Sequence, residues 1–201
     1  MRFSALLGAG LVLLATASQA FAGATLERVE SRKELVNVLM ESYPPFSFLN
    51  DQNQLDGFDV DVAKAVAAKL GVKLRLETPS WDVIAAGRWS GRYDICICSM
   101  TPSKARAEVF DFPVEYYASP AVIVVNAKDD RIHGAKDLEG RKVGLTSASS
   151  YESYLNKNLV IEGDEGRKIE YPFDSVMNAP YDIDNVAFHD LGLGACDSRD
   201  Q

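Results

Sequence analysis

The sequence offers little that a metal or a catalytic proton relay could use. It holds only two histidines, His133 and His189, far apart, and three cysteines, Cys96, Cys98 and Cys196. A protein metal site needs several ligands at defined spacing, and a C-x-C pair with two isolated histidines does not supply one. There is no G-x-S-x-G turn to raise a nucleophilic serine and no glycine-rich phosphate loop. Ser147, Ser149 and Ser150 have no histidine motif beside them. No catalytic set, metal or cofactor is therefore expected. Positive charge is also scarce: 21 basic residues stand against 29 acidic ones, a formal net charge of -8. Without a Lys/Arg cluster this argues against nucleic acid as the main partner. No apolar run approaches the ~20 residues that a membrane span needs.

The sequence does have an ordinary globular make-up. Of its 201 residues 47% are hydrophobic and 25% charged, enough for a large domain or two small lobes. The first 22 residues stand apart. Arg2 is a short positive start, Ala5 to Ala17 an apolar stretch, and Ala20-Phe21-Ala22 an A-x-A cleavage site. This pattern reads as a secretory signal peptide, whose loss of Arg2 leaves 20 basic against 29 acidic residues, or -9. In a secreted chain three cysteines predict at least one free thiol. A disulfide between residues as near as Cys96 and Cys98 is expected to be strained, so the pair reads as small buried apolar side chains.

Along the rest of the chain an α/β alternation is legible. Leu35 to Met40 is a nearly continuous apolar run, as in a buried parallel strand. Tyr43-Pro44-Pro45-Phe46 must turn, and Asn50 to Gln54 is polar. A helix is predicted from about Phe58 to Leu70, stopped by Gly71. Alternation at Val72, Leu74 and Leu76 predicts a strand, a helix follows from Ser80 through Trp89, and Tyr93 to Cys98 is another strand. This β-α-β-α-β order implies a parallel sheet with right-handed crossovers. Ligands bind such sheets at the carboxyl ends of the strands, here the loops after Met40, Glu77 and Cys98. Ser119 to Val125 reads as a strand leaving the first lobe. The pattern then restarts, with strands at Lys142 to Leu145 and Ile169 to Phe173 and helices at Tyr151 to Asn158 and Val186 to Leu191.

The candidate site residues fall on those loops. Thr101-Pro102 predicts a capped helix start running through Ala107. Its free N–H groups would make an anion site, and Arg106 would add a two-pronged grip on a carboxylate. Tyr43, held in a proline turn, and Trp81, at the first position of a helix, are candidate walls for a ligand. Ser149 and Glu152 match a capping box. A functional reading gives Ser149 and Ser150 contacts from an opposite jaw. Asp182 and Asp184 read as solvated loop acids.

Taken in order, the chain resembles the bacterial extracellular solute-binding proteins of family 3, the polar amino-acid receptors of ABC importers. The resemblance rests on Tyr43-Pro44-Pro45-Phe46, Gly57-Phe58-Asp59-Val60-Asp61, Asp94, Met100-Thr101, Arg106, Asp111-Phe112 and the run Asp137 to Gly144. It implies an α/β, two-lobe, periplasmic-binding-protein-like (type II) architecture that closes on one ligand. The lobes would be residues 23–118 and 119–201, the latter opening with a hinge strand. It also implies that Tyr43 and Trp81 stack on the ligand, that Ser99 and Thr101 hydrogen-bond it, that Arg106 holds its α-carboxylate, and that Ser149 and Ser150 add contacts on closure. Relatives of this kind continue past the Gly192 region with a strand bearing an acid for the ligand ammonium. This chain instead turns polar after Gly194, so the second lobe is expected to be incomplete, and Asp197 and Asp200 are not assigned to the ammonium. The function implied is periplasmic capture of an amino acid by a monomer that delivers it to an inner-membrane permease. The alternatives are an enzyme like the cyclohexadienyl dehydratases that share this fold, or a receptor remnant without function.

Overall fold

The computed structural model describes residues 20–194 other than 165 and 167. Most of the expected signal peptide, residues 1–19, lies outside the described residues, as do Cys196, Asp197 and Asp200.

The molecule is mixed α/β and two-lobed. In the first lobe α1 (Ala20–Arg32) leads into β1 (Glu34–Val38). Three short antiparallel strands, β2 (Ser42–Tyr43), β3 (Ser47–Leu49) and β4 (Leu55–Asp56), precede α2 (Phe58–Leu70). Then come β5 (Lys73–Glu77), α3 (Trp81–Ala85), β6 (Ile95–Cys96) and α4 (Lys104–Ala107). The main sheet is parallel, in the order β5-β1-β6, as the β-α-β-α-β reading requires. β1 is central, and Val36 and Val38 are completely buried. Above the sheet, Val38, Leu39, Val60, Trp81, Ile84 and Cys98 form one apolar cluster. Val29, Leu35 and Ala67 form a second.

Two polar side chains fix the geometry of β6. Asn37, fully buried, accepts from Ile97 N at 2.7 Å and donates to Ile97 O at 3.4 Å. Its amide takes over from the strand ladder, so the chain leaves the sheet at Cys96 while staying pinned to β1. The strand is thus shorter than the run Tyr93 to Cys98. At the other end Asp94, with a side chain 0% exposed, accepts from Arg28, Arg32 and Val36 N. This ties α1 to the sheet.

Gly57 begins α2 at φ 118, where a Cβ would sit 2.5 Å from Phe46 O, so no larger residue fits. The close approach lets Phe58 N and Asp59 N donate to Pro45 O and Phe46 O, which fixes the Tyr43 turn and its cis Pro44–Pro45 bond. Gly71 stops α2 in a left-handed cap, as expected.

The second lobe holds a short 3₁₀ turn (Ala135–Leu138), β7 (Lys142–Thr146), α5 (Ser150–Leu155), β8 (Met177–Tyr181) and α6 (Asp184–Gly192). Among the described residues its sheet is the parallel pair β7-β8, packed over Leu145, Leu155 and Phe173.

Several expectations need correction. Residues 119–125 form no strand, and Val122 is 75% exposed. A β-branched run becomes a strand only with a partner to pair with, and among the described residues none pairs with it. The strand expected at Ile169 to Phe173 forms instead at Met177–Tyr181, and the helix from Ser80 ends at Ala85, not Trp89. Cys96 and Cys98 are joined in a disulfide, with Cα atoms 5.2 Å apart, inside the range that a bridge can span. The bend after Cys96 brings the two sulfurs together. Asp184 is not a solvated loop acid: it opens α6 and accepts from Thr146 Oγ1.

Replacing Asp94 with Asn keeps its shape but removes the charge shared by two guanidiniums and an amide. We expect Asp94→Asn to lower the unfolding free energy by about 3 kcal/mol, and Arg32→Ala, at a third-exposed site, by about 1 kcal/mol or less. Urea denaturation of both variants checks this, and equal losses would remove Asp94 as the anchor of α1.

Candidate functional site

The loop after β6 carries most of the candidate residues. Ser99 adopts φ 58, a left-handed conformation uncommon for a residue with a side chain. Its Oγ donates to Asp59 Oδ2 at 2.6 Å and its N–H to Tyr116 OH at 3.0 Å. Ser99 therefore faces inward. The helix that follows is capped by Ser103, not Thr101: Ser103 Oγ accepts from Arg106 N at 3.4 Å. The expected anion site at a helix N-terminus is absent here for a simple reason. Helix α4 has four residues, and Lys104 N already donates to Val160 O at 2.9 Å.

Arg106 is the centre of the site. It is 8% exposed. Its Nη1 donates to Thr101 O and its Nη2 to Ala148 O, each at 3.0 Å. The guanidinium carbon lies 5.3 Å from the ring centre of Trp81, a cation–π contact. Burial lowers the Arg106 pKa to about 10, which leaves it charged at neutral pH. No carboxylate pairs with it among the described residues. Trp81, itself 8% exposed, is both core and wall: its Nε1 donates to the same Ala148 O at 3.3 Å.

The second lobe meets this centre through the turn before α5. Ala148 sits at φ 55, which turns its carbonyl toward Arg106 and Trp81. Ser150 Oγ lies 3.2 Å from Thr101 Oγ1. Ser149 caps α5, accepting from Glu152 N at 3.2 Å, and Glu152 accepts from Ala148 N at 2.7 Å. The capping reading of this motif thus describes what Ser149 does, although Glu152 reaches back to Ala148. Further along, Glu162 N donates to Pro102 O at 2.9 Å, and Ser103 and Ile161 form an antiparallel bridge. Asn185 at the start of α6 donates to Ser42 Oγ at 2.6 Å.

Tyr43 stands on a different wall. Its ring stacks on Phe46, with centres 5.5 Å apart. Its pKa is raised by burial first, then by Tyr151, Tyr117 and Asp184. With Tyr151, Asp184 and the 119–125 segment it lines a cavity of about 520 Å³ that does not include Arg106 or Trp81. The structure therefore gathers Trp81, Thr101, Arg106 and Ser150 at one centre. Tyr43 borders the cavity, while Ser99 and Ser149 engage protein groups. Sequence reasoning missed Ala148, Tyr151 and Tyr116. Ala148 acts through its backbone, for which residue type gives no signal. Asp59 was visible in the Gly57-Phe58-Asp59 motif but without a role.

The profile of the bacterial extracellular solute-binding proteins, family 3, matches residues 35–188. The L-cystine-binding protein TcyJ of Escherichia coli (strain K12) is 33% identical over 174 residues, which is 86% of this chain and 60% of that protein. A probable amino-acid ABC transporter-binding protein of Haemophilus influenzae is 34% identical over 149 residues, 74% of this chain and 57% of that one. The chain thus spans about 60% of the length of these relatives. Among solved structures, an ancestral arginine-binding protein bound to arginine superposes with a TM-score of 0.71 at 33% identity, covering 83% of this chain and 68% of that chain. The holo form of ArgBP from T. maritima gives 0.73 at 27%, covering 85% and 70%. An ancestral amino acid-binding protein described as a precursor of cyclohexadienyl dehydratase gives 0.71 at 27%, covering 86% and 71%.

A buried cation without a carboxylate costs folding energy. Arg106→Met keeps the stem and removes the charge, at the loss of two hydrogen bonds. The two effects oppose each other, so we expect the unfolding free energy of the ligand-free chain to stay within about 1 kcal/mol of the parent in urea titrations. A loss above about 3 kcal/mol would instead make Arg106 a structural strut.

Proposed function

The chain belongs to the bacterial extracellular solute-binding proteins of family 3, and from that premise we propose that it captures an α-amino acid between its two lobes. One observation carries the reading: Arg106 is buried and charged, has no carboxylate partner among the described residues, and lies where the two lobes touch. An incoming carboxylate completes its charge balance through a two-pronged, charge-assisted grip. Trp81 covers one side. Thr101 and Ser150 bring a hydroxyl from each lobe, so closure and ligand contact coincide. Tyr43, Ser99 and Ser149 complete the proposed site, Tyr43 as an aromatic wall and the two serines by shaping the turns that meet the ligand.

The named relatives bind L-cystine or amino acids, and the solved neighbours include arginine complexes. These make L-arginine and L-cystine the first ligands to try. In the proposed physiology residues 1–22 direct export, the mature monomer works in the periplasm, and the ligand passes to an inner-membrane ABC permease. No nucleic acid enters this scheme. The lobes comprise residues 23–118 and 119–201. The dehydratase alternative would need a general acid or base open to the cleft. The buried acid nearest the loop, Asp59, is 0% exposed and held by two hydroxyls. Turnover of prephenate would favour that alternative.

Calorimetric titration of the chain with the twenty amino acids and L-cystine is the test. We expect at least one L-α-amino acid to bind, with Arg106→Ala weakening it roughly 100-fold, the scale for losing one partner of a buried charge pair. Binding that survives Arg106→Ala, or a chain that binds none of them, would overturn the reading.

A further inference from the structure

Asp59 lies at the second position of α2 and is completely buried. Among the described residues its carboxylate is held by two hydroxyls. Ser99 Oγ donates to Oδ2 at 2.6 Å and Tyr116 OH to Oδ1 at 2.9 Å. Tyr116 OH in turn accepts from Ser99 N at 3.0 Å. Carboxylate, phenol and serine therefore form a closed ring of three hydrogen bonds. The ring joins three separate parts of the chain: the start of α2, the loop after β6, and the segment leading to the 119–125 crossing.

The ring explains a backbone feature. Ser99 holds φ 58, where a residue with a Cβ does not rest by preference. Its N–H and its hydroxyl are both spent on Tyr116 and Asp59, so the surroundings hold the turn. Two residues later Thr101 O receives Arg106 Nη1 and Thr101 Oγ1 meets Ser150. Burial raises the Asp59 pKa, against the lowering effect of the two hydroxyls. The carboxylate is thus held at a cost, as expected of a group placed for geometry and not for stability.

We propose that Asp59 and Tyr116 are positioning residues of the binding site: they lock Ser99 in its left-handed turn and so fix where Thr101 meets Arg106 and Ser150. Ser99 then serves the site from within, as the locked residue, and not as a donor to the ligand. The functional consequence rests on the amino-acid-binding reading above; the structural part does not.

Tyr116→Phe in the full chain is the cleanest test. It keeps the ring that stacks on Phe58 with centres 6.0 Å apart and removes only the hydroxyl. Amide hydrogen exchange, followed by NMR without ligand, should speed up roughly tenfold or more at Ser99, while Val36 and Val38 in β1 stay within about threefold of the parent. In calorimetry with L-arginine and L-cystine, whichever binds the parent should bind the variant roughly tenfold more weakly. Asp59→Asn, which leaves one acceptor in place of two, should move Ser99 exchange in the same direction and by less. An unchanged Ser99 amide in both variants overturns the proposal, and so does acceleration spread evenly over Ser99 and β1. If the parent binds neither, whichever amino acid binds in the wider titration serves as the probe; if none binds, the amino-acid reading falls, while the exchange data still decide the role of Asp59 and Tyr116.

Discussion

A guanidinium buried without a counter-charge among the described residues is the constraint around which this structure is organised. Arg106 has left water, and its company consists of two carbonyls and an aromatic face. Carbonyl dipoles and a ring quadrupole offset part of the desolvation cost, but less than a carboxylate does. Everything near it follows from holding it there. Trp81, the first residue of α3, holds its ring centre 5.3 Å from the guanidinium carbon. Thr101 presents its carbonyl to Nη1 two residues after the left-handed Ser99. Ala148 must reach across from the second lobe, which brings the lobes into contact.

The sheet supplies the rigidity. The ladder ends at Cys96, but Asn37 continues to hold Ile97 on both of its backbone groups. The loop therefore departs from a fixed point two residues before Ser99. The Gly57 contact does the same on the other side, setting the Tyr43 turn against the start of α2. Two walls of the site are thereby referred to one frame, the β1 strand and the α2 N-terminus.

This also explains what the sequence made legible. The parallel sheet, α2 with its Gly71 stop and the ligand-end loops were readable because burial imposes a period and glycine marks a stop. Arg106, Trp81 and Thr101 could be named as candidates because their side chains are of types that grip a carboxylate or wall a ligand. Ala148 was not, since its contribution is a carbonyl aimed by a backbone angle. Tyr116 was hidden because its partners are 17 and 57 residues away. The cap at Ser103 was misplaced by two residues because Thr-Pro and Ser are both plausible caps, and only the contact of residues 102–104 with 160–162 separates them. The 119–125 run was misread because strand formation depends on a partner that residue type alone does not reveal.

The nature of the lobe contacts bears on how such a site works. The polar ones among the described residues are the two donors on Ala148 O, the hydroxyl pair of Thr101 and Ser150, the bridge at Ser103 and Ile161, and Asn185 on Ser42. Each such hydrogen bond has a net worth of about 1 kcal/mol, so these contacts hold the lobes together by only a few kcal/mol. A ligand shifts an equilibrium of that size only through contacts that differ between its two states. Ala148 is the point where this balance is struck. Its carbonyl occupies one prong of the Arg106 fork, and the cap of α5 holds it from behind through Ser149 and Glu152. A carboxylate is the stronger acceptor for a guanidinium. In the proposed reading, a carboxylate taking that prong would release Ala148 O while keeping the guanidinium paired, so ligand and second lobe compete for one prong. On the proposed reading, Arg106 is both the residue whose burial costs the ligand-free fold and the one through which a carboxylate would bear on the lobe contact.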